Sequence, residues 1–447
     1  MIDKPMKKEE AAPALAGATV SQSNGFASLG ITPNILAVLD QLKFTTPTPI
    51  QHKAIPVAIE GKDVVGIAQT GTGKSLAFGI PLMQRLMQNQ QGRGLIILPT
   101  RELADQIATT LLKIGRPFGL KIAVLIGGAS MYAQVQQLRN GPHIIIGTPG
   151  RINDHIKQKT LSLGNISILV LDEADCMLDM GFAPQIKLIL QHVPKERQTM
   201  LFSATMPDSI IKIATTYMKL PVRVEIARQG STNEKVDHEL FFVKKDYKAR
   251  LLEKLLGEYK GTVLVFSRTK HGAKKIADAL IKKSFTATEI HSNRTLAQRR
   301  YALDGFKTGK YRVLVATDIA SRGIDVKGIE LVVNYDLPES PGDYVHRIGR
   351  TGRAGLTGKA ISFVMPEQRS KVREIERLIR STIPIMQLPE LPQNQYVATT
   401  PQQTAIYRKN SVMEKTLPPM GNHYPKRHFT KPGNFSKRPP FKKNFSR

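Results

Sequence analysis

Short runs of apolar residues alternate along the chain with longer amphipathic stretches. Most runs end in a cluster of polar residues or glycines. Such alternation is typical of βαβ units, in which helices cover both faces of a parallel sheet. The first series of runs is DVVGIA (63–68), GLIILPT (94–100), KIAVLIGG (121–128), HIIIGTPG (143–150), ILVLDEAD (168–175) and TMLFSAT (199–205). The second is TVLVFSR (262–268), ATEIHS (287–292), RVLVATD (312–318), LVVNYD (331–336) and AISFVM (360–365).

Two series of strands predict an α/β protein with two parallel sheets in tandem domains. Gly, Ser, Thr and Asn residues interrupt the pattern within VEIARQGSTNEKVD (224–237) and indicate a linker. We therefore predict domains at 25–228 and 237–387, joined by a short linker at 229–236. Ligands of open α/β sheets bind at the carboxyl ends of strands, so we expect a cleft between the two sheets.

The two ends of the chain lack hydrophobic periodicity. Residues 1–24 are rich in Ala, Lys, Glu and Ser, and residues 388–447 carry eleven Lys or Arg against two acidic residues. Four phenylalanines lie among the cations of the second segment, at 429, 435, 441 and 445. Neither composition can bury a core, so we predict two disordered tails. We favour a nucleic-acid tether for the basic tail, with a tail that only aids solubility as the alternative.

Composition points to a polyanion partner. The 447 residues include 65 Lys or Arg and 36 Asp or Glu, a formal net charge of +29. A single cysteine, Cys176, excludes an intrachain disulfide framework and a zinc ribbon, and it is expected to be a small buried filler. No apolar run approaches the ~20 residues that span a bilayer, and MIDKPMKKEE does not resemble a signal peptide. We expect a cytoplasmic protein without a membrane partner.

The segment AQTGTGKS, from Ala68 to Ser75, follows the first strand and fits a phosphate-binding P-loop except for its first residue. Gly71 and Gly73 allow backbone N–H groups to face phosphate oxygens, and the following helix adds its positive end. Lys74 is placed to reach the β and γ phosphates, and the Ser75 hydroxyl is a candidate Mg²⁺ ligand. The alternative is a glycine-rich turn with a surface lysine.

The tetrad DEAD, from Asp172 to Asp175, follows the apolar strand SILVL. A strand that ends in Asp is the arrangement in which a carboxylate holds Mg²⁺ beside a P-loop. Glu173 is then placed to orient or deprotonate a water that attacks the γ-phosphate. The alternative is an acidic start of a helix. The P-loop in the same chain favours the metal and catalytic interpretation.

The segment HRIGRTGR, at 346–353, carries Arg347, Arg350 and Arg353. Arginines from a second domain can complete a nucleoside-triphosphate site as fingers. A basic face that contacts nucleic acid or solvent would have the same composition. This motif alone leaves both interpretations open.

Taken in order, these motifs give the chain a resemblance to the DEAD-box RNA helicases of helicase superfamily 2, from Phe26 to about Pro389. The motifs are PTPIQ (47–51), AQTGTGKS, PTRELA (99–104), Gly127–Gly128, TPGR (148–151), DEAD, SAT (203–205), FSRT (266–269), ATDIASRGID (316–325) and HRIGRTGR. IARQGSTNEKV (226–236), TKHGA (269–273) and IHSNRTLAQRR (290–300) are most similar to the bacterial RhlE-like subgroup. The resemblance implies two RecA-like domains.

The resemblance implies an ATP site. Gln51, in the family's Q motif, would contact adenine, Phe44 would pack near the base, and Phe26 fits the family's upstream aromatic position. Asp325 would contact the ribose. The P-loop residues would hold the phosphates: Ala68, Gln69, Thr70, Gly71, Thr72, Gly73, Lys74 and Ser75.

It also implies how the two domains cooperate. Arg350 and Arg353 would be arginine fingers, and His346 would link them to the DEAD strand and to Ser203 and Thr205. RNA-backbone contacts are implied in the first domain at Thr100, Arg101, Gly128, Thr148, Pro149, Gly150 and Arg151, and in the second at Arg268, Arg294 and Thr317. Contact with the backbone rather than the bases implies little sequence specificity.

Two departures from the family pattern stand out. Lys43 replaces the usual Gly before Phe44, and HSNR (291–294) replaces an HGD-type sequence. The second puts the RNA contacts of the second domain in doubt. Neither departure affects Lys74, Asp172 or Glu173.

The leading hypothesis is an RNA-stimulated ATPase that uses ATP and Mg²⁺ to separate short duplexes without long translocation. The basic tail from 388 would tether RNA, and ribosome assembly or RNA turnover would suit a monomeric enzyme that contacts the RNA backbone. The first alternative is an RNA clamp or annealing chaperone in which unwinding is incidental. The second is a DNA-directed motor, which Gln51 and the DEAD tetrad disfavour.

Overall fold

The computed structural model describes residues 25–69, 71–89, 91–226, 236–321, 326, 328–352 and 357–391. Within these residues the chain forms two seven-stranded sheets, and every strand pair is parallel. The prediction of two tandem α/β domains with parallel sheets is therefore confirmed. The predicted N-terminal tail, most of the linker and residues 392–447 of the predicted C-terminal tail lie outside the described residues.

The first sheet has the strand order β3-β4-β2-β5-β6-β1-β7. Its strands are β1 (Val64–Ile67), β2 (Arg93–Ile97), β3 (Ile122–Leu125), β4 (Ile144–Gly147), β5 (Ile166–Leu171), β6 (Gln198–Ser203) and β7 (Val222–Glu225). The second sheet has the order β10-β11-β9-β12-β13-β8-β14. Its strands are β8 (Val236–Phe242), β9 (Thr262–Phe266), β10 (Ala287–Ile290), β11 (Val313–Ala316), β12 (Ile329–Asn334), β13 (Gly358–Val364) and β14 (Ile385–Met386).

Helices connect the strands and cover both sheets. In the first domain they are α1 (Pro33–Gln41), α2 (Pro49–Ile59), α3 (Lys74–Gln88), α4 (Arg101–Gly115), α5 (Met131–Arg139), α6 (Pro149–Lys157), α7 (Ala174–Asp179), α8 (Ala183–His192) and α9 (Asp208–Tyr217). In the second they are α10 (Lys248–Glu258), α11 (Lys270–Lys282), α12 (Leu296–Lys307), α13 (Asp318–Ser321), α14 (Pro341–Ile348) and α15 (Arg369–Ile379). Short 3₁₀ turns lie at Phe26–Leu29, Arg116–Phe118, Lys245–Tyr247 and Pro366–Gln368.

Each sheet separates two hydrophobic cores. In β2, Ile96 packs into the core on one face, whereas Leu95 and Ile97 pack into the core on the other. This period of two, with both faces buried, explains why the central strands are nearly continuous apolar runs. Among the described residues, none of the helices combines the length and the apolar character needed to cross a lipid bilayer.

Three strands were not predicted: the edge strands β7 and β14, and β8, which lies next to the edge between β13 and β14. β7 and β14 are largely exposed, and β8 (VDHELFF) interrupts its apolar residues with Asp, His and Glu. Their apolar signal is therefore weaker than that of the central strands. Val236, the last residue of the predicted linker, already belongs to β8.

Candidate active site

The P-loop connects β1 to α3 at the carboxyl edge of the first sheet. Gly71 and Gly73 have φ values of +85° and +92°, which favour glycine, and Gly73 caps the start of α3. A Cβ atom on Gly73 would lie 2.4 Å from Nε2 of Gln51. The loop thus places backbone N–H groups and a helix N-terminus together, an arrangement suited to phosphate.

Gln51 is buried and ties helix α2 to the P-loop. Its Oε1 accepts a hydrogen bond from the Thr48 N–H at 2.8 Å, and its Nε2 donates to the Gly73 carbonyl at 2.9 Å. An amide oxygen accepts two bonds and an amide nitrogen donates two, so one of each remains for a ligand. The predicted adenine contact is compatible with this geometry and stays a prediction.

The two predicted aromatic residues differ in exposure. Phe44 is partly buried against the first core, whereas Phe26 is 5% exposed and offers a ligand little surface. Lys43 adopts φ +60°, a left-handed conformation that favours glycine. Lys43 therefore adopts a backbone conformation that the Gly of the family pattern would enter more readily.

Lys74 and Asp172 face one another in the interior. The Lys74 ammonium lies 3.8 Å from Asp172 Oδ1, and both side chains are buried. Burial raises the pKa of Asp172 from 3.8 to about 6, and Lys74 offsets this only partly. The oxygen ligands of Asp172 and Ser75 are of the kind that Mg²⁺ prefers, so this donor set fits the predicted ion.

Glu173 is held in an unusual backbone conformation. Its φ and ψ are +50° and +48°, a left-handed geometry that costs a non-glycine residue about 1–3 kcal/mol. Its side chain is buried, and Oε1 has no hydrogen-bond partner. A strained backbone with an unsatisfied buried carboxylate oxygen suits a group that acts on a bound ligand or water.

Asp175 connects the DEAD tetrad to the SAT segment. Its Oδ2 accepts hydrogen bonds from the Thr205 N–H and the Thr205 hydroxyl, both at 2.8 Å, and its N–H donates to Ser203 Oγ at 3.3 Å. Burial alone would raise the pKa of Asp175, but Lys74, His346 and the Thr205 hydroxyl together hold it below its usual value. Asp175 is thus an ionised carboxylate whose hydrogen bonds join the segment after β5 to the end of β6.

Helix α14 of the second domain lies close to Asp175. The ligating atoms of His346, Asp343 and Asp179 lie within 4.8 Å of one another, and Asp179 ends helix α7 of the first domain. His346 is also close enough to Asp175 to lower the pKa of that carboxyl. The predicted proximity of His346, Ser203 and Thr205 to the DEAD strand is therefore present in the structure.

Two arginines of HRIGRTGR have different environments. Arg347 is 2% exposed and forms two hydrogen bonds with Asp318, at 2.5 and 2.7 Å, and one with Asn334 Oδ1 at 3.1 Å. Its guanidinium also lies 4.9 Å from the ring centre of Phe266. Arg350 is 5% exposed, and its Nε donates to the His346 carbonyl at 3.2 Å. Arg347 therefore stabilises its own domain, whereas Arg350 lies beside His346, the residue that approaches Asp175 of the first domain.

We expect Arg347→Ala to destabilise the second domain by about 3–5 kcal/mol, because it leaves the Asp318 carboxylate without its buried partner. Urea unfolding followed by circular dichroism measures this loss. Arg369→Ala is the control, because Arg369 is an exposed arginine that also lies over a phenylalanine ring, Phe242, at 4.9 Å. Equal stability of the two variants would contradict a structural role for Arg347.

Helix N-termini converge at one edge of the first sheet. β3, β4 and β2 are neighbours, and their carboxyl ends lead to Gly128, to α6 and to α4. Thr148 and Thr100 are the N-cap residues of α6 and α4, and a Cβ on Gly150 would meet open space. Adjacent helix N-termini attract anions, so this edge fits the phosphates of a nucleic-acid backbone.

Arg101 and Arg151 are positioned at the same edge. The guanidinium of Arg101 lies so close to Gly128 that a Cβ there would be 2.4 Å from Nη1, and Gly128 has φ +79°. Arg151 Nε lies 3.8 Å from Asp154 Oδ2. Pro149 occupies the first turn of α6. The structure thus brings together all seven residues predicted to contact RNA in the first domain.

The second sheet repeats this arrangement at β10, β11 and β9, whose carboxyl ends lead to Arg294, Thr317 and Arg268. Both arginines are paired with carboxylates. Arg294 donates to Glu289, and Arg268 Nε lies 3.2 Å from Glu339 Oε1. An RNA phosphate would have to share or replace these partners.

Helix α12 of the second domain packs directly on the first domain. Leu296 belongs to the hydrophobic core of the first domain, and Arg299 Nη2 donates to Glu102 Oε2 at 2.8 Å in a buried ion pair. A second pair, Arg300 with Asp105 at 2.5 Å, is partly exposed. The two domains are therefore in contact in this structure.

Sequence reasoning missed the roles of Asp175, Glu102 and Arg299. Asp175 and Glu102 lie within recognised motifs, but their charge partners are distant in sequence. Glu102 and Arg299 are separated by 197 residues. Three predicted site residues, Thr70, Asp325 and Arg353, lie outside the described residues.

Two parallel-sheet domains that bring a P-loop, a DEAD strand and an arginine-bearing helix together define a nucleoside-triphosphate-binding protein of two domains. Family models match both halves of the chain. The DEAD/DEAH box helicase model matches residues 48–213, and the helicase conserved C-terminal domain model matches residues 247–355.

Similar proteins match most of the chain. The DEAD-box ATP-dependent RNA helicase CshA of Geobacillus kaustophilus is 42% identical over 368 residues, which cover 82% of this chain and 79% of that protein. The ATP-dependent RNA helicase CshA of Listeria monocytogenes is 42% identical over 400 residues, 88% of this chain and 76% of that protein.

Among solved structures, S. cerevisiae Dbp5 bound to RNA and ADP BeF3 is similar with a TM-score of 0.72 and 28% identity, covering 88% of this chain and 100% of that one. The DEAD-box helicase Mss116 bound to ssRNA and UDP-BeF has a TM-score of 0.74 and 26% identity, with coverage of 87% and 86%. The chain belongs to the DEAD-box ATP-dependent RNA helicases, a family of ATP-hydrolysing enzymes.

Proposed function

We propose that this chain couples RNA-stimulated ATP hydrolysis to closure of its two domains, and that closure separates short RNA duplexes locally. The observation that carries this proposal is the position of His346, which lies on the second domain beside Asp175 of the first. A ligand that binds both domains favours the closed state, and each such ligand then strengthens binding of the other. ATP and RNA are the two ligands.

In the ATP site, backbone N–H groups of the P-loop and Lys74 bind the phosphates, and Gln51 and Phe44 hold the adenine. Phe26 lies in the hydrophobic core against which Phe44 packs. Asp172 and Ser75 would hold Mg²⁺, which would offset negative charge on the phosphates. Glu173 accepts the proton of the attacking water. Arg350, with Arg353, stabilises the charge that develops on the transferred phosphate, and Asp325 contacts the ribose.

We expect Mg²⁺ affinity to fall about tenfold for each pH unit below about 6. The pKa of Asp172 is raised to about 6, so the folded protein holds a proton there at lower pH, and Mg²⁺ has to displace it. Titration of Mg²⁺ against a fluorescent ATP analogue at pH 5 and pH 7 measures the change. The same titration of Asp172→Asn gives the part of the pH dependence that comes from protonation of the nucleotide alone. An identical pH dependence of Mg²⁺ affinity in both proteins would contradict the prediction.

On the RNA side, the convergent helix N-termini and Arg101 and Arg151 of the first domain hold the backbone of one strand. Arg268, Arg294 and Thr317 extend this contact onto the second domain. Backbone contact carries little sequence information, so we propose broad RNA specificity. The RNA-bound states of Dbp5 and Mss116 support RNA as a ligand of this chain.

Strand displacement from RNA duplexes of increasing length tests local separation. The displacement rate should fall steeply with duplex length, because one closure disrupts only the pairs next to the cleft. ATP-dependent displacement that is independent of length would indicate translocation and contradict the proposal. Annealing without displacement would favour the RNA clamp or annealing chaperone.

Several finer assignments complete the proposal. We propose domains at 25–228 and 236–387 with a linker at 229–235, because Val236 begins β8. We also propose a basic RNA tether from 388, a monomeric state and cytoplasmic action on ribosomal precursors or in RNA degradation. The RhlE-like motifs support that subgroup, although the relatives compared above carry the name CshA. Gln51, with its bond to the P-loop, supports a Q motif.

A further inference from the structure

The second domain has a groove at the position that the P-loop occupies in the first. The two sheets have matching strand orders, in which β8 takes the place of β1 and β13 takes the place of β6. The turn from β8 to α10, residues 243–247, is therefore the topological counterpart of the P-loop. Its sequence, VKKDY, contains no glycine, so it cannot form the same phosphate cradle.

This groove has a volume of about 520 Å³, within the range of ligand sites. It is lined by Phe242, Lys244, Tyr247, Arg250, Pro366, Leu388 and Leu391. We call it the β8 groove. Within the described part of the chain, its lining therefore combines two cations with aromatic and apolar side chains and includes no acidic residue.

The aromatic side chains of the β8 groove are associated with cations. Tyr247 is 44% exposed, and the Arg250 guanidinium lies 5.4 Å from its ring centre. Lys244 is exposed on the adjoining turn. An exposed ring beside Lys and Arg is the combination that binds single-stranded nucleic acid, because bases stack on the ring and phosphates pair with the cations.

The β8 groove adjoins the proposed RNA face. Asp336 accepts a hydrogen bond from Lys248 Nζ at 2.9 Å through Oδ1, and from the Arg268 N–H at 3.1 Å through Oδ2. Lys248 directly follows Tyr247, so one carboxylate joins the rim of the groove to a proposed RNA contact. On its other side the groove is lined by Leu388 and Leu391, the start of the predicted basic tail.

We propose that the β8 groove is an accessory site for a single-stranded RNA segment that continues from the cleft. One base stacks on Tyr247, and flanking phosphates contact Lys244 and Arg250. The cations attract any polyanion, whereas the exposed ring of Tyr247 and the continuity with Arg268 favour RNA over an acidic peptide. This proposal rests on the proposed RNA function, but it concerns a surface separate from the ATP site.

The test uses the absence of tryptophan from the chain. Tyr247→Trp places a single fluorescent reporter in the groove of the full-length protein. The control is Tyr301→Trp, because Tyr301 is 58% exposed in the same domain and also lies near a cation, Lys310, at 4.6 Å. Each variant is titrated with single-stranded oligoribonucleotides of increasing length and, separately, with poly-glutamate, while RNA-stimulated ATP hydrolysis is measured in parallel.

Long RNA should quench the Tyr247→Trp reporter, whereas RNA just long enough to stimulate ATP hydrolysis should not, and the control should stay unchanged. Normal RNA-stimulated hydrolysis without quenching at any length would overturn the proposal and leave the proposed function intact. Response to poly-glutamate but not to RNA would overturn it in favour of peptide docking. Lack of RNA stimulation in the unmodified protein would instead refute the proposed function.

A second measurement does not depend on fluorescence. Tyr247→Ala should weaken the binding of long RNA by about fivefold to 100-fold, the effect of losing one base stack, and leave short RNA unaffected. Equal binding of long RNA by the variant and the unmodified protein would contradict the accessory site.

Discussion

Glu173→Gln is expected to lower the rate of ATP hydrolysis by about 10²- to 10⁴-fold. The variant keeps the size and most of the polarity of the side chain but loses the basic carboxylate. Glu173 has a buried oxygen without a hydrogen-bond partner, so the substitution breaks no bond of that atom. ATP and RNA binding should therefore remain within a few-fold of the unmodified protein, and steady-state hydrolysis together with nucleotide titration measures both.

The matched control is Glu196→Gln, because Glu196 is an exposed carboxylate paired with Lys219 on the surface of the same domain. It should leave hydrolysis unchanged. If Glu173→Gln hydrolysed ATP normally, Glu173 would not be the base. If it lost hydrolysis but kept full duplex displacement over repeated turnovers, the clamp interpretation would gain support, because catalysis would then be dispensable.

Arg299→Ala is expected to reduce RNA-stimulated hydrolysis by at least about 100-fold at subsaturating RNA. The substitution leaves Glu102 buried without its partner in the closed state, and breaking a buried ion pair costs about 3–5 kcal/mol. The pair joins the two domains, so its loss is expected to act mainly on domain closure rather than on the fold of either domain. Hydrolysis without RNA and the unfolding of each domain should change little.

The neighbouring pair provides the control. Arg300 is 53% exposed in its ion pair with Asp105, and exposed pairs contribute about 0.2–1 kcal/mol. Arg300→Ala should therefore reduce stimulated hydrolysis by only a few-fold. In the double variant Glu102→Gln/Arg299→Ala, the loss of RNA-stimulated hydrolysis, expressed as free energy, should be smaller than the sum of the losses in the two single variants. Equal effects of Arg299→Ala and Arg300→Ala would contradict a special role for the buried pair.

Much of the fold was predictable because buried parallel strands have a strong apolar signal. β4 and the last four residues of β5 are continuous apolar runs, and the segments that follow them mark the site. Strand β8, which lies between β13 and β14, was missed because His238 and Glu239 interrupt its apolar residues. A short strand interrupted by polar residues cannot be distinguished from a loop by apolar periodicity alone.

The candidate site likewise contains residues that the sequence predicts and residues that it does not. Gly73, Lys74 and Asp172 were recognisable because P-loop chemistry depends on a local order of residues. The different roles of Arg347 and Arg350 could not be recognised from the sequence, because both residues belong to one basic motif. Only the packing of the folded domain pairs Arg347 with Asp318. The pairing of Glu102 with Arg299 depends on how two domains meet, which no local pattern records.

Steady-state ATP hydrolysis tests the central claim, coupling between ATP and RNA, most directly. The rate is measured without nucleic acid, with single-stranded RNA and with DNA of the same sequence, and Lys74→Ala serves as the blank. We predict strong stimulation by RNA, little by DNA, and no activity in the blank. Equal rates with and without RNA would contradict the coupling of the two sites through domain closure.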